Sequence, residues 1–197
     1  MFVQIIEGRT SDAEALAARG RTWESTAGKG AVGFLGVTSG VTADGRAVTI
    51  VRFESEAAAL ANAERPEQHE WWQGTAALYD GEVSFTGSND VTEWMGGGSD
   101  EARFVQVMKS TGVDRAQLER VDAAMEPHGS ARPDLLGGIR IWTGPDRCVD
   151  VAYFTSEAEA RQGEQAEMPE ELQALMAEMG SAMGDTEYLD LVDPHLA

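Results

Sequence analysis

The chain has 197 residues, 42% of them hydrophobic, with a formal net charge of −19 and a pI near 4.4. That length suits one large domain or two small ones, with enough apolar residues for a real core. The charge argues against nucleic acid, whose phosphates need clustered Lys and Arg, and against anionic membrane surfaces; its simplest meaning is solubility or a salt-tolerant cytoplasm.

No apolar run approaches the roughly 20 residues of a membrane helix. The opening MFVQIIEGRT lacks the basic-then-apolar pattern of a signal peptide and reads as a strand. Cys148 is the lone cysteine, so no internal disulfide or multi-cysteine metal site is available, and its setting CVDVAYF is that of a buried, inert thiol. A reducing cytoplasm is the expected compartment.

In chain order, a strand over Phe2–Glu7 precedes a helix started by Ser11 and Glu14 as a capping box, with Ala13, Leu16, Gly20 and Trp23 as its apolar face. Strands Val32–Gly40 and Ala47–Glu54 follow, joined by the turn Thr42-Ala43-Asp44-Gly45. A helical region from Ser55 to about Tyr79 is divided at Pro66, which suits a first helical turn, and a strand over Glu82–Thr86 ends the half. The same order then recurs. Phe104–Lys109 is a strand, and Asp114 with Gln117 starts a helix whose face is Leu118, Val121 and Met125. Strands Leu136–Thr143 and Cys148–Thr155 flank a Gly144–Arg147 turn. The helical region Ser156 to Met183 is divided at Pro169, and Glu187–Val192 is the last strand.

The recurrence extends to residue identities. Phe2-Val3-Gln4 matches Phe104-Val105-Gln106 at an offset of 102, Phe53-Glu54-Ser55-Glu56-Ala57 matches Phe154-Thr155-Ser156-Glu157-Ala158 at 101, and Pro66-Glu67 matches Pro169-Glu170 at 103. Three ordered matches at nearly constant spacing indicate a duplication. Residues 1–94 form one unit, 95–102 a Gly-rich linker and 103–197 a second unit. The order βαββαβ, twice, predicts an α+β fold of two tandem ferredoxin-like units, each a four-stranded antiparallel sheet with helices on one face. The free sheet faces are apolar, so the two units are expected to pack sheet to sheet as an intramolecular dimeric α/β barrel, an internal pseudo-dimer that leaves the chain a monomer.

The strand ending Phe53-Glu54-Ser55-Glu56-Ala57, followed by Arg65-Pro66-Glu67-Gln68-His69-Glu70-Trp71-Trp72, resembles the antibiotic-biosynthesis monooxygenase family of the dimeric α/β-barrel superfamily. The resemblance spans nearly all of residues 1–90 and, more faintly, 103–193. It implies a pocket between the sheet and helices of each unit, and chemistry ranging over cofactor-free oxygenation of aromatic polyketides, isomerisation and haem degradation. The haem-degrading branch is implied to carry an Asn on the first strand and a Trp followed by an iron-ligating His. This chain has Gln4 and Gln106 there, and His69 precedes Trp71 and Trp72. Haem degradation is therefore not expected.

Helical spacing after Pro66 puts His69, Trp72, Ala76 and Tyr79 on one face, and the 103-residue offset sets His69 opposite Leu172 of an apolar stripe, Leu172, Leu175, Met176, Met179 and Met183. His69 is the candidate catalytic base or hydrogen-bond donor. Trp23, Trp72 and Tyr79 are candidate substrate-binding residues for a small apolar or aromatic molecule, with no cofactor and no metal. The alternatives are that these side chains simply fill the space, giving a non-catalytic binding or interaction module, or that the pocket binds haem. Arg52 and Arg140, on strands, are either inward anchors or solvent-facing. His128 and His195 read as loop and tail, without a metal-ligand partner at useful spacing.

Overall fold

The computed structural model describes residues 1–197 apart from the side chain of Ser130. Its first half runs β1 (Phe2–Arg9), α1 (Ala13–Arg21), β2 (Phe34–Val41), β3 (Arg46–Phe53), α2 (Glu56–Ala63), α3 (Pro66–Ala76), β4 (Ser84–Ser88) and β5 (Val91–Trp94). The second repeats the series as β6 (Phe104–Thr111), α4 (Arg115–Met125), β7 (Leu135–Gly144), β8 (Arg147–Phe154), α5 (Glu157–Gln165), α6 (Glu170–Met183), β9 (Asp185–Val192) and β10 (His195–Leu196). Met1–Val91 with Leu191–Ala197 form one compact unit, and Thr92–Asp190 the other.

Each unit is a ferredoxin-like α+β arrangement, with strand orders β10-β2-β3-β1-β4 and β5-β7-β8-β6-β9. Both sheets have five strands where the sequence pattern shows four. The extra strand is short and comes from distant chain: β10 supplies the outer edge beside β2, and β5 the outer edge beside β7. Two- and four-residue strands carry too little period-2 pattern to be legible alone, and pairing on an exposed edge is what makes them strands.

Local chemistry repeats with the topology. Asp12 caps α1 by accepting the Ala15 N–H at 2.9 Å, and Asp114 caps α4 by accepting that of Gln117 at 3.0 Å. The expected cap Ser11 instead donates to Asp80 at 3.3 Å. Ser55 and Ser156 cap α2 and α5, each accepting from the residue three further on at 3.2 Å. Pro66 opens α3 at its first position, whereas Pro169 lies one residue earlier, as the N-cap of α6.

The helix-covered face of the second sheet is packed solid. Leu118, Trp142, Cys148 and Ala182 form one buried cluster, joined by Met179 and Met183, and Phe104, Ala152, Phe154 and Ala160 form another, against Trp94. The first unit has the smaller cluster Phe2, Phe53 and Ala59, with Phe34 and Val51 beside it. α4 buries Leu118 and Val121, while α1 buries no residue fully.

Gly138 marks the closest approach in the second unit. A β-carbon there would lie 2.0 Å from the Trp94 ring and 2.5 Å from the Val151 carbonyl, whereas one at Gly180 on α6 meets nothing within 4 Å. Gly138→Ala is expected to destabilise the protein by about 1–3 kcal/mol. Gly180→Ala is expected to stabilise it by up to about 1 kcal/mol through helix propensity. Thermal midpoints of the two variants check both signs, and equal midpoints would refute the Trp94 packing.

Candidate functional site

The packed face of α3 lies one residue back from the one that spacing suggests. Gln68 accepts from the indole N–H of Trp23 at 2.7 Å, Trp71 meets α1, and Thr75 is buried. His69 is on the exposed side, its Nε2 2.9 Å from the Gln73 amide. It does not share an inward face with Trp72 and Tyr79. The reason is helical phase. Pro66 and Glu170 are each the first residue of their helix, so the offset is 104 there rather than 103. The residue equivalent to buried Leu172 is Gln68. A slip of one residue turns a helix by about 100°, enough to exchange an inward for an outward position. The second-half stripe holds except at one position: Leu172 is buried, Leu175 half-buried, and Met179 and Met183 pack, while Met176 is exposed.

The three aromatic candidates occupy two ends of the first unit. Trp23, just beyond α1, stacks at 4.6 Å on Phe34, which meets Phe53 at 5.9 Å. Trp72 lies 6.2 Å from Tyr79 and 5.2 Å from Phe85. Tyr79 lies over Gly8, where a β-carbon would come within 2.5 Å of its ring. Burial raises the Tyr79 pKa, partly opposed by its hydrogen bond with Thr49.

Between these ends lies a row of residues across the sheet. Antiparallel partners share a face, so His195, Ser39, Thr49, Ile6 and Phe85 stand side by side. Three contacts place the row on the helix side: Tyr79 with Thr49, Trp72 with Phe85, and Gly20 of α1, whose β-carbon position is 3.9 Å from His195. The next row on that face holds Gln4, Val51 and Val37. Ser39, Thr49, Gln4, Val51 and Val37 are all only half-buried.

The same positions in the second unit are closed. Arg140 and Asp150, the register equivalents of Ser39 and Thr49, are 7% and 2% exposed. Arg140 donates from Nε to Asp150 at 2.8 Å and from Nη1 to Asp122 of α4, and Cys148 donates to Asp150 at 3.5 Å. The inward reading of Arg140 is therefore the correct one, because two carboxylates balance its charge. Burial pushes Asp150 up to about 6, against the pull of Arg140, and pushes the Cys148 thiol up to about 12. Gln106, Ala152 and Trp142 complete the seal, and Gln106 donates to Asp190 at 2.9 Å. By N-cap alignment of α1 with α4, Asp122 corresponds to Gly20. The first unit thus lacks all three charged groups of the seal.

His195 is the residue that sequence reasoning missed. Its strand β10 seats it beside Ser39 and under α1, half-buried, and burial lowers its pKa, opposed by Glu24 and reinforced by Arg21. No local pattern signals this, since the pairing joins residues more than 150 positions apart. His128 lies in a short 3-10 turn after α4, and among the described residues no helix is long and apolar enough to cross a membrane.

No family profile and no curated protein matches the chain in sequence. Solved structures do match its fold along its whole length. A proposed monooxygenase from Lactobacillus acidophilus superposes with a TM-score of 0.73 at 12% identity, covering 100% of this chain and 95% of that one. An anthrone oxidase-like protein gives 0.62 at 10% identity, with coverages of 100% and 92%. A ferredoxin-fold protein from Listeria monocytogenes, related to antibiotic biosynthesis monooxygenases, gives 0.53 at 11% identity, with coverages of 99% and 95%. The fold is the antibiotic-biosynthesis-monooxygenase-like ferredoxin fold, present as a tandem pair.

The buried ion cluster makes a test of stability. Arg140→Met leaves the buried Asp150 carboxylate without its cation and is expected to lose about 3–5 kcal/mol at pH 7, whereas the double change Arg140→Met with Asp150→Leu should recover most of it. Because the folded value of Asp150 lies above its ordinary 3.8, the folded state holds the extra proton between the two values. Its contribution to stability is then present below pH 4 and lost as pH rises to about 6. Denaturant titrations at pH 4 and pH 7 should show that decline in wild type and its disappearance in the double variant.

Proposed function

We propose that the first unit binds a flat apolar or aromatic small molecule on the helix-covered face of its sheet and acts on it as a cofactor-independent oxygenase or isomerase. One observation carries the reading: the face that Arg140, Asp150, Asp122 and Trp142 seal in the second unit is only half-covered in the first. Its floor mixes apolar Val37 and Val51 with Gln4, Ser39 and Thr49, and its ends are the Trp23–Phe34 and Trp72–Tyr79–Phe85 groups. Aromatic walls with a few convergent hydroxyls suit a planar ligand carrying one or two oxygens. Chemistry on such a compound begins with removal of a proton, for which a half-buried acid–base group is needed.

The anthrone oxidase-like structural neighbour makes an anthrone the first probe. Titration with it is expected to quench tryptophan fluorescence through Trp23 and Trp72. Moving the seal of the second unit into the first, as Ser39→Arg with Thr49→Asp, should weaken binding at least about tenfold, equivalent to about 1.4 kcal/mol. Unchanged affinity in that double variant, with circular dichroism preserved, would place the ligand elsewhere.

A further inference from the structure

We infer that His195 is the acid–base residue of the first-unit site and takes the proton of an ionisable phenol or enol held over Ser39 and Thr49. This rests on the binding reading above and names the group and the substrate class.

Four features of the site lead to it. His195 and Thr49 flank Ser39 in one row, and strands lie about 4.8 Å apart, so His195 and the Thr49 position that holds Tyr79 are about 10 Å apart. That gap is floored by the Ser39 hydroxyl and fits a planar ring edge-on. The opposite ends differ in kind: the phenol of Tyr79, kept protonated by burial, is a hydrogen-bond donor, and the imidazole of His195 is kept neutral at pH 7 and can accept a proton. Finally, the two groups that would quench such a site are missing. The position of Arg140 is Ser39, and that of Asp122 is Gly20, so α1 approaches the imidazole with no carboxylate side chain at that point. Charged groups around it are Glu24 and Arg21, of opposite sign.

In the step, a ring nitrogen of neutral His195 takes the proton of the ligand hydroxyl. The O–H bond breaks, an N–H bond forms, and the electron pair stays on the oxygen as phenolate or enolate, beside the imidazolium. Donation from the Ser39 hydroxyl stabilises that oxygen, and the Tyr79 hydroxyl donates to a second oxygen at the far edge of the ring. His69, exposed on the far side of α3, takes no part.

The probe is alizarin, a hydroxyanthraquinone whose absorbance reports its ionisation, titrated from pH 4 to pH 9 with and without protein. Wild type is expected to bind it and to lower the pH of its ionisation by about one unit. His195→Gln should bind the un-ionised dye within about threefold of wild type and lose that shift, and His69→Gln should behave as wild type. His195→Ala should regain the shift on adding free imidazole, which a collapsed site could not do. A shift retained in His195→Gln, or binding to wild type with no shift, overturns the role of His195 while leaving the binding reading intact. Absence of binding to wild type overturns both.

Discussion

One register position on the two central strands governs the difference between the halves of this protein. In the second unit it holds Arg140 opposite Asp150, and in the first Ser39 opposite Thr49. A guanidinium under a helix demands compensating charge, because an unpaired buried ion is strongly unfavourable. Asp150 and Asp122 supply it, and with them α4 is drawn onto the sheet, along with Leu118 and Val121. Serine and threonine make no such demand. α1 can then remain above the sheet without burying a residue completely, and the space beneath stays partly open.

The same face of the repeated fold is therefore sealed by a buried ion cluster in one unit and only half-covered in the other. The second unit is packed solid, with Trp94 against Gly138 and Trp142 in its main cluster. The half-covered face of the first unit leaves the Ser39 and Thr49 hydroxyls half-buried and the Phe85 ring exposed. Fold similarity at 10–12% identity extends to this architecture, and chemistry has to be argued from the site itself.

Edge pairing adds the remaining ingredient. β10 gives the first sheet a fifth strand and, with it, a histidine that the βαββαβ unit does not possess. A short edge strand protects the exposed backbone groups of β2, with Ala197 exchanging backbone hydrogen bonds with Val37 at 2.6 and 3.1 Å. The same pairing fixes the height of His195 along the sheet, level with Ser39. A stability device and a chemical group are thereby delivered by one segment.

Much of the architecture was legible in the residues themselves. Strand and helix order, the duplication, the buried character of Cys148 and the capping role of Asp114 follow from local periodicity and hydrogen-bonding chemistry, which act over a few residues. The helical spacing that links Trp72 with Tyr79 holds as a contact between the two rings, whereas Trp23 lies at the other end of the unit. His69 was misplaced because the phase of a helix depends on where it starts, and the loops before α3 and α6 differ in length. Arg140 could be placed only once its two carboxylates were seen to converge on it from β8 and α4. His195 depended on the pairing of β10 with β2, more than 150 residues earlier in the chain. Sequence determined which elements form, because those forces are local; tertiary structure decided which face each helix presents and which histidine lies against the first sheet, because both are set by contacts between residues far apart in the chain.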